Sequence, residues 1–208
     1  MKQVLNNMKD GGLIIVETPV PKTSKSSIRI KSTRSLISTG TERMLVDFGK
    51  ASYINKAKQQ PEKVKQVLSK IRTDGFIDTF DAVKSKLEQP ITLGYSNVGI
   101  IDEVGSDVYD LKSGDRVVSN GGHAEVVLVN KNLCAKVPDN VDDDSAAFTI
   151  VASIGLQGIR LANPTLGETF VVIGAGLIGL LTIQILKANG CNVLAVDIDD
   201  RKLQLAKR

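Results

Sequence analysis

The chain has no tryptophan, a single histidine, two cysteines and few aromatic residues, 4% of its 208 positions. Each scarcity removes a class of function. Cys134 and Cys191 are too few for a disulfide framework, a usage that fits a reducing, cytoplasmic setting. Two thiols and one imidazole, His123, leave little from which to build a zinc site of Cys and His alone. No apolar run reaches the length of a membrane span, and Met1-Lys2-Gln3-Val4 lacks the apolar core of a secretion signal. Net charge is only +4, from 27 basic and 23 acidic residues. No dense Lys/Arg tract is interleaved with aromatics. A small-molecule substrate is therefore the expected partner, with neither nucleic acid nor membrane. What is present, 42% hydrophobic residues, suffices for one soluble domain and part of another.

Organisation follows from the apolar period. Lys2 to Asn6 and Leu13 to Glu17 flank Lys9-Asp10-Gly11-Gly12, which reads as a hairpin. Ser27 to Ser38 alternates as a strand, with Ile28, Ile30 and Ser32 on one side. From Arg43 to Pro90 the period becomes helical, and this stretch carries ten basic and six acidic residues, the whole charge excess. Val64, Val67, Leu68 and Ile71 share one helical face after Pro61, and Phe76, Phe80, Val83 and Leu87 share another after Gly75. The helices read as an amphipathic cap packed on the domain with solvated lysines, or as a substrate lid or partner surface. Short strands separated by glycine turns between Ile91 and Val129 suggest a small β-barrel. Asp142 to Asp144 is suited to cap a helix running from about Ser145 to Ala162.

The last segment is the most explicit. A strand, Glu168 to Ile173, precedes Gly174-Ala175-Gly176-Leu177-Ile178-Gly179. A helix over Leu180 to Ala188 follows, then a second strand, Cys191 to Val196, ending in Asp197. Gly-x-Gly-x-x-Gly alone is weak, but here strand, helix, second strand and an acid 18 positions on supply the context a dinucleotide site needs. Gly174 permits the turn, Gly176 admits a pyrophosphate to the backbone, and Gly179 lets helix and strand approach. Asp197 would accept ribose hydroxyls and repel a 2′-phosphate, favouring NAD over NADP; Arg201 is the residue able to reverse that preference. The alternative is an ordinary βα turn with a solvated strand-end acid. A two-stranded parallel unit cannot cover both faces of its sheet, so this domain is expected to be truncated.

These residues resemble the medium-chain dehydrogenase/reductase family, in which a GroES-like barrel joins a dinucleotide-binding domain. Gly94 to Val118 is similar to the barrel signature, Ala146 to Arg160 resembles the helix entering the nucleotide domain of zinc-free quinone-reductase-like members, and Gly174 to Asp197 is the cofactor unit. The resemblance covers nearly everything outside residues 43–90. It implies a GroES-like domain over residues 1–142 with a helical insertion at 43–90, then a partial Rossmann domain over 143–208. The insertion itself resembles that of bacterial bi-domain oxidoreductases associated with surface-polysaccharide sugars, implying the front of a longer polypeptide. It further implies a homo-oligomer formed through strands beyond this chain. The zinc ligands of the family fall here on Thr39, on Tyr95 and near Val151 or Ala152, and the four-cysteine lobe is missing. Neither a catalytic nor a structural zinc is expected.

The expected function is an NAD(P)-dependent, zinc-independent oxidoreductase acting on an alcohol or carbonyl, with a sugar-derived substrate in view. Without a metal, hydrogen-bond donors must polarise the substrate oxygen. The resemblance brings Thr39, Thr41, Glu42, Tyr95 and Ser96 to the cleft. Tyr95 is the candidate donor or a barrel tyrosine, and Glu42 a brace for the Thr39-Gly40-Thr41 turn. His123, the chain's single histidine, is a proton relay or a turn histidine facing solvent. The alternative function is a non-catalytic nucleotide-binding or scaffold module of a larger oxidoreductase.

Overall fold

The computed structural model describes residues 1–207, and for some helical positions between 53 and 88 the backbone alone. It divides into two compact units, Met1–Lys136 and Val137–Arg208. In the first, β1 (Lys2–Asn6) and β2 (Leu13–Glu17) pair antiparallel from Lys2↔Glu17 to Asn6↔Leu13, the hairpin the glycine turn predicts. β3 (Ser27–Ser35) stops short of Ser38 because the chain turns there into a helix. Four helices follow: α1 (Thr39–Lys50), α2 (Tyr53–Gln59), α3 (Pro61–Asp74) and α4 (Phe76–Glu88).

The remaining strands of this unit are β4 (Ile91–Thr92), β5 (Asn97–Val104), β6 (Arg116–Ser119), β7 (Val126–Asn130) and β8 (Cys134–Lys136). They complete a three-stranded sheet, β2-β1-β4, and a five-stranded sheet, β7-β3-β5-β6-β8. Alternation on β3 sends Ile28 and Ile30 into a core with Ile101, Val117, Val127 and Val129. Each such fully buried side chain is worth roughly 1.5–3 kcal/mol relative to exposure. The turn before β6 is tied to the sheet by Asp115, which accepts the Lys112 N–H at 3.1 Å and pairs with Lys136 Nζ at 2.9 Å.

Two expectations for the helices need correction. Phe76 and Phe80 do not pack on the domain: they are 66% and 58% exposed and stack on each other with ring centroids 6.2 Å apart. Nor are all lysines solvated. Lys56 is buried, and its Nζ donates to the carbonyls of Met8 at 2.7 Å and Lys9 at 3.3 Å. Val64, Val67 and Ile71 are half-buried as the helical period predicts, while the side chains of Leu68 and Leu87 lie outside the described residues.

In the second unit the helix expected from Ser145 to Ala162 is two helices, α5 (Asp143–Ala146) and α6 (Thr149–Ala162). Asp142 caps α5, accepting the Ser145 N–H at 2.8 Å and the Ser145 hydroxyl at 2.9 Å. After α6 come β9 (Thr169–Ile173), α7 (Leu177–Ala188), β10 (Asn192–Val196) and α8 (Asp200–Ala206). β9 and β10 are parallel, in register from Thr169↔Asn192 to Ile173↔Val196. One face of this pair, with Phe170, Val172 and Val193, packs against Ile185 and Leu186 of α7 and against Cys191. The other face exposes Val171, Ile173, Leu194 and Val196. Among the described residues no helix is long and apolar enough to cross a membrane.

Candidate functional site

Two constellations of candidate site residues stand out, one in each unit. In the second, the chain leaves β9 through Gly174 at φ +95°, a conformation that glycine adopts without penalty. α7 begins at Leu177, three residues before the expected Leu180, so Gly176 is its N-cap and Gly179 lies in its first turn. A Cβ on Gly179 would collide with the Gly174 carbonyl oxygen, whereas one on Gly176 would meet nothing within 4 Å. Close packing at the last glycine and open backbone at the middle one are what a pyrophosphate cradle requires. No side chain caps α7, so its N-terminal N–H groups and positive dipole end suit an anion.

Asp197, at the tip of β10, closes this loop from the neighbouring strand. Its carboxylate accepts the Asp199 N–H on Oδ1 and the Ala175 N–H on Oδ2, both at 2.8 Å. Those two bonds, the Asp199 one foremost, hold its carboxyl below the usual carboxylate range. Arg201 is engaged with Asp199, its Nε 3.1 Å from Oδ1 and its Nη2 3.1 Å from Oδ2. Gly174, Ala175, Gly176, Leu177, Ile178, Gly179 and Asp197 thus lie together at the end of the β9–β10 pair, with Ala175 and the Asp197 side chain buried at 1% and 6% exposure.

In the first unit, β3 ends at Ser35 and α1 starts at Thr39, with Glu42 one turn into the helix. Glu42 reaches back so that Oε1 accepts the Ser38 N–H at 2.8 Å, a bond that satisfies an orphan donor at the helix start. The bracing role expected for Glu42 is thus present. Its other oxygen, Oε2, lies 2.9 Å from His123 Nε2, and His123 Nδ1 lies 2.9 Å from Ser35 Oγ. His123 is not a turn histidine facing solvent: its side chain is 11% exposed, and that of Glu42 8%. Gly94 makes room for the ring, since a Cβ there would stand 2.8 Å from His123 Cγ and Cε1.

Tyr95 belongs to the same corner. Ser35 pairs with Asn97 across the β3–β5 ladder, and the Leu36 N–H donates to the Ser96 carbonyl at 2.9 Å. Thr39 opens α1 and is exposed, on the helical face shared with Glu42. Residue patterns alone missed Ser35, because a serine closing a polar strand end carries no periodic signal; its partner is 88 residues away. Cys134 opens β8, and burial pushes its thiol up to about 11, with the Asp110 charge adding to the effect. Cys191 is buried just before β10.

A profile describing the alcohol dehydrogenase GroES-like domain matches residues 65–139. L-idonate 5-dehydrogenase of Vitis vinifera is 31% identical over 153 residues, 58% of this chain and 42% of that protein. Galactitol 1-phosphate 5-dehydrogenase of Escherichia coli strain K12 is 34% identical over 149 residues, 57% of this chain and 43% of that protein. The crystal structure of galactitol-1-phosphate dehydrogenase from Escherichia coli superposes with a TM-score of 0.72 at 26% identity, over 100% of this chain and 58% of that one. These matches support similarity of the chain to the medium-chain dehydrogenase/reductase family of the alcohol-dehydrogenase type. The chain spans less than half the length of either curated relative. The architecture is that of the family, a GroES-like barrel followed by the opening strands of a Rossmann fold.

At the positions that the family resemblance assigns to zinc ligands, the sequence has Thr39, Tyr95 and, near the third, Val151 or Ala152. Both ring nitrogens of His123 are engaged by Ser35 and Glu42. Among the described residues no group of three or more His, Cys, Asp or Glu is arranged to hold a metal.

Proposed function

We propose that the protein is a zinc-independent oxidoreductase that uses NAD to interconvert an alcohol and a carbonyl compound. The observation that carries this reading is the Gly174–Gly179 loop closed by Asp197. The uncapped helix start with its backbone N–H groups supports a pyrophosphate site, and the Asp197 carboxylate, which accepts the Ala175 N–H, is the group we assign to the ribose hydroxyls. When bound, the nicotinamide supplies the hydride acceptor or donor. NAD is favoured over NADP because the carboxylate of Asp197 repels a 2′-phosphate, and Arg201 is turned onto Asp199. The donor set at the zinc positions, two hydroxyls and an aliphatic side chain, does not fit zinc, which takes thiolate, imidazole or carboxylate ligands. Polarisation of the substrate oxygen falls to Tyr95 and Thr39, and proton exchange to His123. The names of the relatives, which act on a polyol phosphate and a sugar acid, support a sugar-derived substrate.

Calorimetry with NADH and NADPH, followed by keto-sugar assays at the nicotinamide absorbance band, tests the assignment. NADH is expected to bind more tightly than NADPH, and Asp197→Ala to weaken NADH binding about tenfold or more while narrowing the preference. No heat with either coenzyme overturns the reading. Tight NADH binding without turnover of any substrate favours a non-catalytic nucleotide-binding module of a larger oxidoreductase.

A further inference from the structure

The geometry points to Ser35, His123 and Glu42 as the acid–base group of this oxidoreductase, with Ser35 as its contact to the substrate hydroxyl and Glu42 as a positioning residue. The inference rests on the oxidoreductase reading above, and its argument is the direction of two hydrogen bonds. A carboxylate only accepts, so Glu42 Oε2 holds the His123 proton on Nε2 at 2.9 Å. Neutral His123 then presents Nδ1 as an acceptor, and the Ser35 hydroxyl, 2.9 Å away, must donate to it. The order hydroxyl, imidazole, carboxylate is that of a base poised to take a proton through a serine.

The burial of the three residues is graded. Glu42 and the imidazole are nearly enclosed, while Ser35 is exposed and, with His123, lines an open cleft of about 350 Å³. Glu42 is fixed on its far side by the Ser38 N–H, and His123 by backbone bonds to Leu93 at 2.8 Å and Val4 at 2.9 Å. Ser35 is thus the exposed member of the three, at the cleft that the ring also lines. Such a chain is a costly way to pin a loop, because two ionisable side chains are removed from water to make it. Gly94, which packs against the ring, precedes Tyr95, and Glu42 lies one helical turn from Thr39.

In the oxidative direction a bound nicotinamide would supply the acceptor for the substrate's hydride. On this chain the substrate hydroxyl proton would pass to Ser35 Oγ as the Ser35 proton moves to Nδ1, leaving an imidazolium facing Glu42 as the substrate becomes a carbonyl. The imidazolium then returns its extra proton through Ser35 to water in the cleft. Reduction runs the same path in reverse.

Imidazole 15N NMR of the protein, with the His123 signal identified by its loss in His123→Asn, reads the tautomer without turnover. The neutral ring is expected to carry its proton on Nε2, and Glu42→Gln to yield a tautomer mixture. In keto-sugar assays Ser35→Ala and Glu42→Gln are each expected to lower kcat about 10–100-fold with coenzyme affinity and KM retained, and Ser35→Thr to restore most of it. The pH profile of kcat is expected to lose one limb in His123→Asn. The other charged groups around the cleft are Lys2 on β1, Arg34 on β3 and Glu125, whose Oε2 accepts the Lys2 N–H at 2.7 Å; single neutral variants of these should keep that limb. A proton on Nδ1 in the wild-type protein, or coenzyme binding with undiminished turnover in Ser35→Ala and His123→Asn, overturns the proposal. Absence of coenzyme binding instead overturns the oxidoreductase reading, and the catalytic role of the chain with it.

Discussion

Gly94 shows how one missing Cβ supports the chemistry around it. Its φ of +85° is poorly accessible to other residues, and a methyl group there would press on the His123 ring and on its backbone N, all at 2.8 Å. Gly94→Ala is therefore expected to lower stability by about 1–3 kcal/mol and to disturb the His123–Glu42 bond, read by urea denaturation and by the imidazole NMR signal. Gly40→Ala is the control: a Cβ meets nothing within 4 Å there, and the position is helical. A stable Gly94→Ala protein with an unchanged ring signal would show that the turn does not shape the site. At this scale the sequence was half legible. Glu42 beside a helix start announced a cap, but that its second oxygen meets a histidine 81 residues away had no local signature. The solvent-facing reading of His123 failed for that reason: the two glycines before it suggest an open turn, and only the fold brings α1 over the ring.

Among the elements, the β9–loop–α7 unit was the most readable and shows why spacing rules work. The glycines satisfy three separate steric demands, so the motif is tightly constrained by local geometry. The helix nevertheless starts at Leu177 and not at Leu180, because Gly176 serves as N-cap and Gly179 can then pack inside the first turn against the Gly174 carbonyl. Gly179→Ala tests this. The obstructing atom belongs to the backbone and cannot swing away, so strand and helix must separate. The variant is expected to lose NADH binding and about 1–3 kcal/mol of stability, measured by calorimetry and thermal unfolding. Wild-type affinity in Gly179→Ala would mean that the loop tolerates the wider spacing. Elements without such constraints were read less well. The α5–α6 break at Ala147–Phe148 interrupts a continuous apolar pattern, and the exposed Phe76–Phe80 stack follows a helical period that gives no hint of which face meets the core.

Across the whole molecule, carboxylates held below their usual range in both units are expected to govern stability in acid. Asp102 on β5 is held below the usual carboxylate range by hydrogen bonds from Lys31, 2.7 Å away, and from Arg29, whose Nε lies at 2.8 Å. Asp115 is lowered by Lys136 and the Lys112 N–H, Asp142 by the Ser145 N–H and hydroxyl, and Asp199 by the Arg201 side chain and N–H. Asp197 joins them through the Asp199 and Ala175 amides. In each case the folded pKa is depressed relative to the unfolded chain, so the unfolded state binds protons first as pH falls. The stabilisation is complete above the unfolded value of about 3.9 and is lost as pH drops through the lower folded values. Tm is thus expected to change little between about pH 7 and 5 and to fall steeply below about pH 4. Asp102→Asn separates this linkage from general acid damage. At neutral pH its Tm should lie below that of the wild type, because Arg29 and Lys31 lose their charged acceptor. As pH falls the two curves should converge, since protonation makes the wild-type side chain neutral as well. Parallel curves down to about pH 2 would place the acid sensitivity elsewhere than in these carboxylates.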